Sequence, residues 1–163
     1  MGLPQKIKAL ADYGGVAGIR VTRNAAVIGE EADVPLFHIV GGRVYVTAIW
    51  GVVAALLPTA ATTIGLQVNP TVGAAVALDT GALNITDDIV GTIYTLPDDS
   101  LTQPLAAVLA DVGVANYENV MRGFSARTGD IELVVAGATM ATGSVRWVLF
   151  YAEIDPDAYV IAA

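Results

Sequence analysis

The chain has 163 residues, no cysteine, 55% hydrophobic residues against 15% charged ones, a mean hydropathy of +0.62 and a net charge of −8. That is the size of one domain able to bury roughly 70% of the surface its unfolded chain exposes, and the lack of cysteine excludes thiol redox chemistry, zinc-thiolate sites and cysteine nucleophiles. A chain this apolar is expected to associate with copies of itself or to coat a larger partner.

The opening stretch, MGLPQKIKALADYGG, has two lysines but no continuous apolar core. It is expected to be no secretion signal, and the protein is expected to be made in a cytoplasm. Tyr13-Gly14-Gly15 and Gly18 interrupt any helix begun after Pro4, so residues 1–18 read as an extended arm before a single domain at 19–163. Residues 1–29 hold Lys6, Lys8, Arg20 and Arg23 against Asp12 alone, a balance of +3, whereas the rest carries four arginines against fifteen acids. Such a body repels nucleic acid, which is bound by clustered cations. Lys6, Lys8, Arg20 and Arg23 are read either as ordinary solvated charges or as an arm that lies on an acidic protein partner.

Ile19 to Thr22 alternates into a short strand, Asn24 to Asp33 reads as an acidic loop, and Leu36 to Val40 is the first core strand before the Gly41-Gly42 turn. From Val44 to Leu78, 35 residues pass without a charged side chain. A bilayer helix needs about 20 consecutive apolar residues; Val44 to Leu57 stops short at Pro58 and is rich in β-branched and aromatic positions, so it reads as a strand. Strict alternation puts Val44, Val46, Ala48 and Trp50 on one face and Tyr45, Thr47, Ile49 and Gly51 on the other. Both faces are apolar, so one is expected in the core and the other, through Tyr45 and Ile49, against a sister subunit.

Thr62 to Val68, Ala75 to Leu78, Ala82 to Ile85 and Ile89 to Leu96 continue as short strands separated by aspartate-rich turns. Leu101 to Leu109 is the one stretch that favours helix, with Pro104 restricting its start. Val120 to Ala126, Asp130 to Ala136 and Ser144 to Tyr151 close the strand series before the Asp155-Pro156-Asp157 turn. Strands at this spacing, without room for repeated βαβ crossovers, predict an all-β antiparallel β-sandwich, jelly-roll-like, with a ligand-holding barrel as the alternative.

The residues of reaction chemistry are sparse. The single histidine, His38, lies between Phe37 and Ile39 on a predicted strand and reads as a structural histidine bonded to a neighbour; no serine sits in a nucleophile elbow, Ser144 being the nearest approach. Asp87-Asp88 and Asp98-Asp99 adjoin turn residues and read as turn chemistry rather than as a glycosidase pair. Asp155-x-Asp157 lacks the spacing of a calcium loop. Gly14, Gly15 and Gly18 form a hinge, not a phosphate loop, and Asn84-Ile85-Thr86 fits a glycosylation sequon without the secretory context that would use it. No enzyme activity, cofactor or metal is therefore expected. Trp50, Trp147, Tyr45, Tyr94 and Tyr151 fall in strands and read as core or as subunit interface.

Three segments carry a resemblance: LFHIVGGRVYVTAIWGVV from Leu36, LQVNPTVGAAVAL from Leu66 continuing to ITDDIVGTIYTL, and GDIELVVAGATMATGSVRWVLFYAEIDPDAYVIAA from Gly129. In their order and spacing, the Gly-Gly-Arg-Val strand, the Asn-Pro-Thr-x-Gly turn, the Asp-x-x-Gly-Thr-x-Tyr strand and the Thr-Gly-Ser-Val-x-Trp strand are similar to those of tailed-bacteriophage virion proteins of the capsid decoration, or cement, type. Residues 97–129 and the amino-terminal arm depart from that pattern. The resemblance implies a structural β-rich module that forms a homotrimer and clamps the major capsid protein on the outer surface of the expanded head, with no role for nucleic acid or membrane. A phage tail, fibre or head-tail adaptor component, and a carbohydrate-binding β-sandwich, are the alternatives.

Overall fold

A computed structural model describes residues 18–29, 33–81, 83–96, 103–108 and 123–163. The arm before Gly18, with Lys6 and Lys8, and most of 97–122 lie outside the described residues.

The strands are β1 (Ile19–Ala26), β2 (Asp33–Val40), β3 (Val44–Ala55), β4 (Thr62–Pro70), β5 (Val76–Ala77), β6 (Leu83–Asn84), β7 (Ile93–Thr95), β8 (Ala106–Val108), β9 (Phe124–Ala126), β10 (Gly129–Gly137), β11 (Ser144–Glu153) and β12 (Tyr159–Ala162). They form two antiparallel sheets. The first runs β1-β11-β3-β7-β8, with β9 also on β3; the second runs β12-β2-β10-β4-β5, with β6 also on β4. The pairs β4 with β5, β3 with β7, β2 with β10 and β1 with β11 are nested, each enclosing the last in sequence. Wrapping such nested pairs into two facing layers is the double Greek key of a jelly roll, so the predicted sandwich is the observed fold.

The alternating strands form where the sequence placed them. Ile64, Leu66 and Val68 on β4 face Ile131, Leu133 and Val135 on β10 and Phe37 and Ile39 on β2, and all are buried. From the first sheet they meet Val44, Val46, Ile49, Val53, Tyr94, Trp147, Leu149 and Tyr151. Several boundaries differ from the sequence reading. Of the expected strand Ile89 to Leu96 only Ile93–Thr95 is strand, because Ile89 to Thr92 form a turn closed by the Thr92 N–H on the Ile89 carbonyl. β1 continues to Ala26 into the stretch expected to be an acidic loop, because residues from Ile19 to Ala26 find partners on β11. The expected helical stretch 101–109 contains β8, held by Ile93 to Thr95, and no helix occurs among the described residues. The apolar tail forms β12, which pairs with Val40 to Phe37.

The largest correction concerns β3. Val46 pairs with Tyr151 and Ala48 with Phe150, so Thr47 is an extra residue opposite the continuous β11, and its hydroxyl donates to the Phe150 carbonyl at 3.2 Å. A bulge of this kind shifts the alternation by one position. Val44 and Val46 point inward before it; Ile49, Gly51 and Val53 point inward after it. Ile49, expected beside Tyr45 on a subunit-facing side, is therefore a core residue at 2% exposure, and its place on the outer face is taken by Trp50.

Among the described residues one buried hydroxyl is left over. Thr92 is fully buried, and its Oγ1 has no hydrogen-bond partner among the described residues. Thr92→Val, which exchanges this hydroxyl for a methyl of similar shape, is expected to raise the unfolding free energy by about 1 kcal/mol in urea titrations. An unchanged or lower midpoint would mean that the hydroxyl is satisfied.

Candidate interaction surfaces

The two sheets present unlike outer faces. On the first, Ala48, Trp50 and Val52 from β3 lie beside Phe150, Val148 and Arg146 from β11, with Arg20 and Thr22 from β1 beyond them. The Trp50 and Phe150 ring centroids are 5.1 Å apart at an interplanar angle of 36°. Val148 and Phe150 are buried although they belong to the outward face, and Trp50 is half-buried. Tyr45, exposed, stands at the other end of this face with its ring against Gly123. Among the described outward positions of the sheet, Arg20 and Arg146 are the charges.

Arg23 is placed differently. It pairs with inward-facing Trp147 and is half-buried, its Nε has no partner among the described residues, and burial lowers its pKa from the ordinary arginine value. Of the four cations assigned to a partner-binding arm, Arg20 is thus exposed on the outer side of the first sheet and Arg23 turns toward the core, while both belong to β1 rather than to an arm.

The second sheet is polar outside. His38 Nδ1 lies 2.6 Å from Asp130 Oδ1. Glu132 accepts hydrogen bonds from Gln67 Nε2 at 2.7 Å and Asn69 Nδ2 at 3.1 Å, and is almost fully buried. Register alone assembles this group: Asp130 stands between His38 and Asn69, and Glu132 opposite Gln67. Exposed Tyr159 and Ile161 flank it on β12, and exposed Asp33 begins β2. Alongside β4, the buried Asp79 carboxylate takes the Leu66 and Gly81 N–H groups; burial raises its pKa more than those bonds lower it.

The loops at the two ends differ as well. At one end, Arg43 grips Asp155 through Nη2 to Oδ1 at 2.8 Å and Nε to Oδ2 at 3.0 Å, and its backbone N–H adds a third bond to Oδ2 at 2.8 Å. These bonds hold the pKa of the Asp155 carboxyl at about 2, below the usual carboxylate range. As pH falls, the unfolded chain takes up this proton first, so the contribution is complete above about pH 4 and is lost as pH passes through 2. Asp155→Asn is expected to flatten this part of the melting-temperature profile between pH 4 and pH 2, by a small amount because the pair is solvent-exposed. An identical profile in the variant would show that the pairing is absent in solution.

The opposite end is apolar. There Asp87, in a left-handed conformation, accepts the Thr59 hydroxyl at 2.8 Å, and Asp88 accepts the Tyr94 hydroxyl at 2.6 Å, which with burial moves the Tyr94 pKa well above that of a free phenol. The Asn84 side chain accepts both the Thr86 N–H and its hydroxyl, so the sequon triplet is an aspartate-type turn. These acids are turn residues, as their sequence context indicated, and His38 has the neighbour expected of it. Asp98-Asp99 lies outside the described residues. Among the described residues, no group of three or more His, Asp or Glu side chains is arranged to hold a metal ion, and no helix is long and apolar enough to cross a membrane.

No protein-family model, curated protein or solved structure matches the chain.

Sequence reasoning missed the segregation of surface character. Its signal was present in separate places: NAAVIG, AALLPTAA and ATMATG are all free of charge, and the fold brings all three to one end.

Proposed function

We propose that this chain is a structural virion protein that binds the outside of the expanded head of a tailed bacteriophage as a homo-oligomer, a trimer in the reading favoured here, and stabilises it. The observation carrying this reading is a jelly-roll sandwich whose loops expose Val27, Leu56, Ile89 and Val90, joined to the ordered motifs from Leu36 to Leu96 and from Gly129 onward. Its partners are copies of itself and the major capsid protein.

The physical mechanism is linkage. A subunit that binds the intact expanded shell, and not its precursor or fragments, stabilises that shell by RT ln(1 + [L]/Kd), about 2.7 kcal/mol per site at a free concentration of 100 Kd. Several weak contacts on one oligomer add through effective concentration and slow release, and the acidic balance of the whole chain keeps decorated particles apart. Purified protein mixed with expanded heads lacking it is expected to co-sediment with them and to raise the temperature at which they rupture. Heads that remain bare at saturating protein would refute the decoration role.

Sugar binding has one feature in its favour, exposed Tyr159 beside the His38, Asp130 and Asn69 row, although those polar groups already bond one another or Glu132. Retention of the protein on a glycan array, lost in Tyr159→Ala, would favour that second reading.

A further inference from the structure

Among the described strands, β1 is the longest at a sheet edge. It pairs with β11 on one side and with no described strand on the other, where β12 of the facing sheet comes near without pairing. Which of its backbone groups are open follows from β11. The Thr47 hydroxyl reaches the Phe150 carbonyl, so Phe150 turns its backbone groups toward β3. Tyr151, the next residue, turns its own toward β1, where a Cβ added at Gly18 would meet the Tyr151 carbonyl oxygen. Ile19, Val21 and Arg23, opposite Tyr151, Leu149 and Trp147, therefore bond to β11. The N–H and C=O groups of Arg20 and Thr22 point the other way, and both residues are exposed. The strand IRVTRNAA carries two cations and no acid. Arg20 stands on the outer side and Arg23 on the inner side, and neither makes an ion pair among the described residues. Arg23, half-buried and with its Nε unpartnered, is a partly desolvated cation without a counter-charge.

We infer that the open edge of β1 captures an extended, acidic segment of a partner protein as an added antiparallel strand. The backbone groups of Arg20 and Thr22 supply the generic part of the recognition, as in other cases of strand addition. The side chains supply the choice. Residues of the incoming strand opposite Arg20 and Arg23 lie on opposite faces of the sheet, and between them one residue faces Val21 on the inner side. The favoured segment therefore has an acid, any residue, an apolar residue and a second acid in succession. Arginine at an edge blocks chance pairing with neutral or basic strands, and the same guanidinium groups attract a strand that brings carboxylates. A second copy of β1 is the wrong occupant, because it would line four arginines along two adjacent strands with no carboxylate among them. The inference goes beyond the virion reading and does not rest on it, since it names the chemistry of the bound segment and not its source.

The probe is the synthetic peptide acetyl-Ser-Glu-Thr-Val-Glu-Val-Ser-amide, titrated into the isotope-labelled chain while amide hydrogen exchange is followed by NMR. The Arg20 and Thr22 amides are expected to exchange more slowly once the peptide is bound, whereas the Val21 amide, already bonded to β11, changes little. The peptide with both glutamates replaced by glutamine is expected to bind about tenfold more weakly or worse, and so is the acidic peptide to Arg20→Glu. Thr22→Pro removes an open-edge N–H without touching a bond to β11 and is expected to abolish capture. Where circular dichroism shows that this variant does not fold, the peptide N-methylated at its second glutamate makes the same test on the unchanged protein, because it blocks the N–H meant for the Arg20 carbonyl. No binding at millimolar peptide, equal binding of the glutamine peptide, or unaltered exchange at Arg20 and Thr22 overturns the inference. So does a chain that self-associates in sedimentation equilibrium and loses that association in Thr22→Pro, since a second copy would then hold the edge. Heads that stay bare leave peptide capture standing, and a peptide that fails to bind leaves head binding standing.

Discussion

Trp147→Ala is expected to lower the unfolding free energy by about 3–5 kcal/mol, the range for removing a large aromatic from a packed core. The indole is 1% exposed and belongs to the largest fully buried side chains. It lies directly opposite Gly51, where an added Cβ would come within 3.0 Å of the ring and of Val145 Cγ1, so the sequence has left a glycine on β3 to admit a tryptophan on β11. Such a site collapses poorly when emptied, because its walls are strands fixed by their own hydrogen bonds. A domain of this kind has in total about 5–15 kcal/mol of stability. The loss therefore removes a large fraction of it, readable as a lowered urea midpoint by far-UV circular dichroism. A change below about 1 kcal/mol would place the indole outside the core.

Gly129→Ala is expected to cost about 3 kcal/mol or more, by a different route. Gly129 begins β10 at φ +144°, a conformation that L side chains rarely adopt. It is paired on both sides, with Ile39 of β2 and Pro70 of β4, and a Cβ there would meet the Asn69 carbonyl oxygen and the Pro70 and Thr71 backbone. This backbone, held in the ladder of β4 with β10, cannot yield as a side-chain tip does. The expected readout is a fall in melting temperature with unchanged native far-UV signal at low temperature. If Gly129→Ala melts with the wild type, the start of β10 is looser than its pairing implies.

These two glycines show where sequence reading succeeds and where it stops. Period-two alternation along Ile64, Leu66 and Val68, and along Ile131, Leu133 and Val135, was enough to locate the strands and their buried sides, since both faces of the pattern differ in polarity. β3 defeated it. Apolar on both sides, β3 gives the same pattern in either phase, and the bulge at Thr47 that fixes the phase arises in its pairing with β11, a strand about a hundred residues away. Hence Trp147 and Trp50, alike in sequence context, divide between the core and an outer face, and Tyr45 and Ile49 separate. The charge-free loops were visible singly. Their convergence on one end required the order of the sheets, which composition does not encode.

The nesting of strand pairs has a consequence for how the molecule comes to exist. Gln67 and Ala77 close a short loop, Gly51 and Tyr94 a longer one, His38 and Asp130 one longer still, and Ile19 meets Tyr151 only after nearly all of the chain has been traversed. Each ring of pairings brings its own ends together at a cost that rises slowly with loop length once the ring inside it has shortened the path. Folding is thus expected to proceed outward from the β4-β5 turn, at the slow rates typical of distant pairings. On the ribosome, β1 and β2 must wait without their partners until the last third of the chain has been synthesised, which exposes their apolar sides to chaperones first.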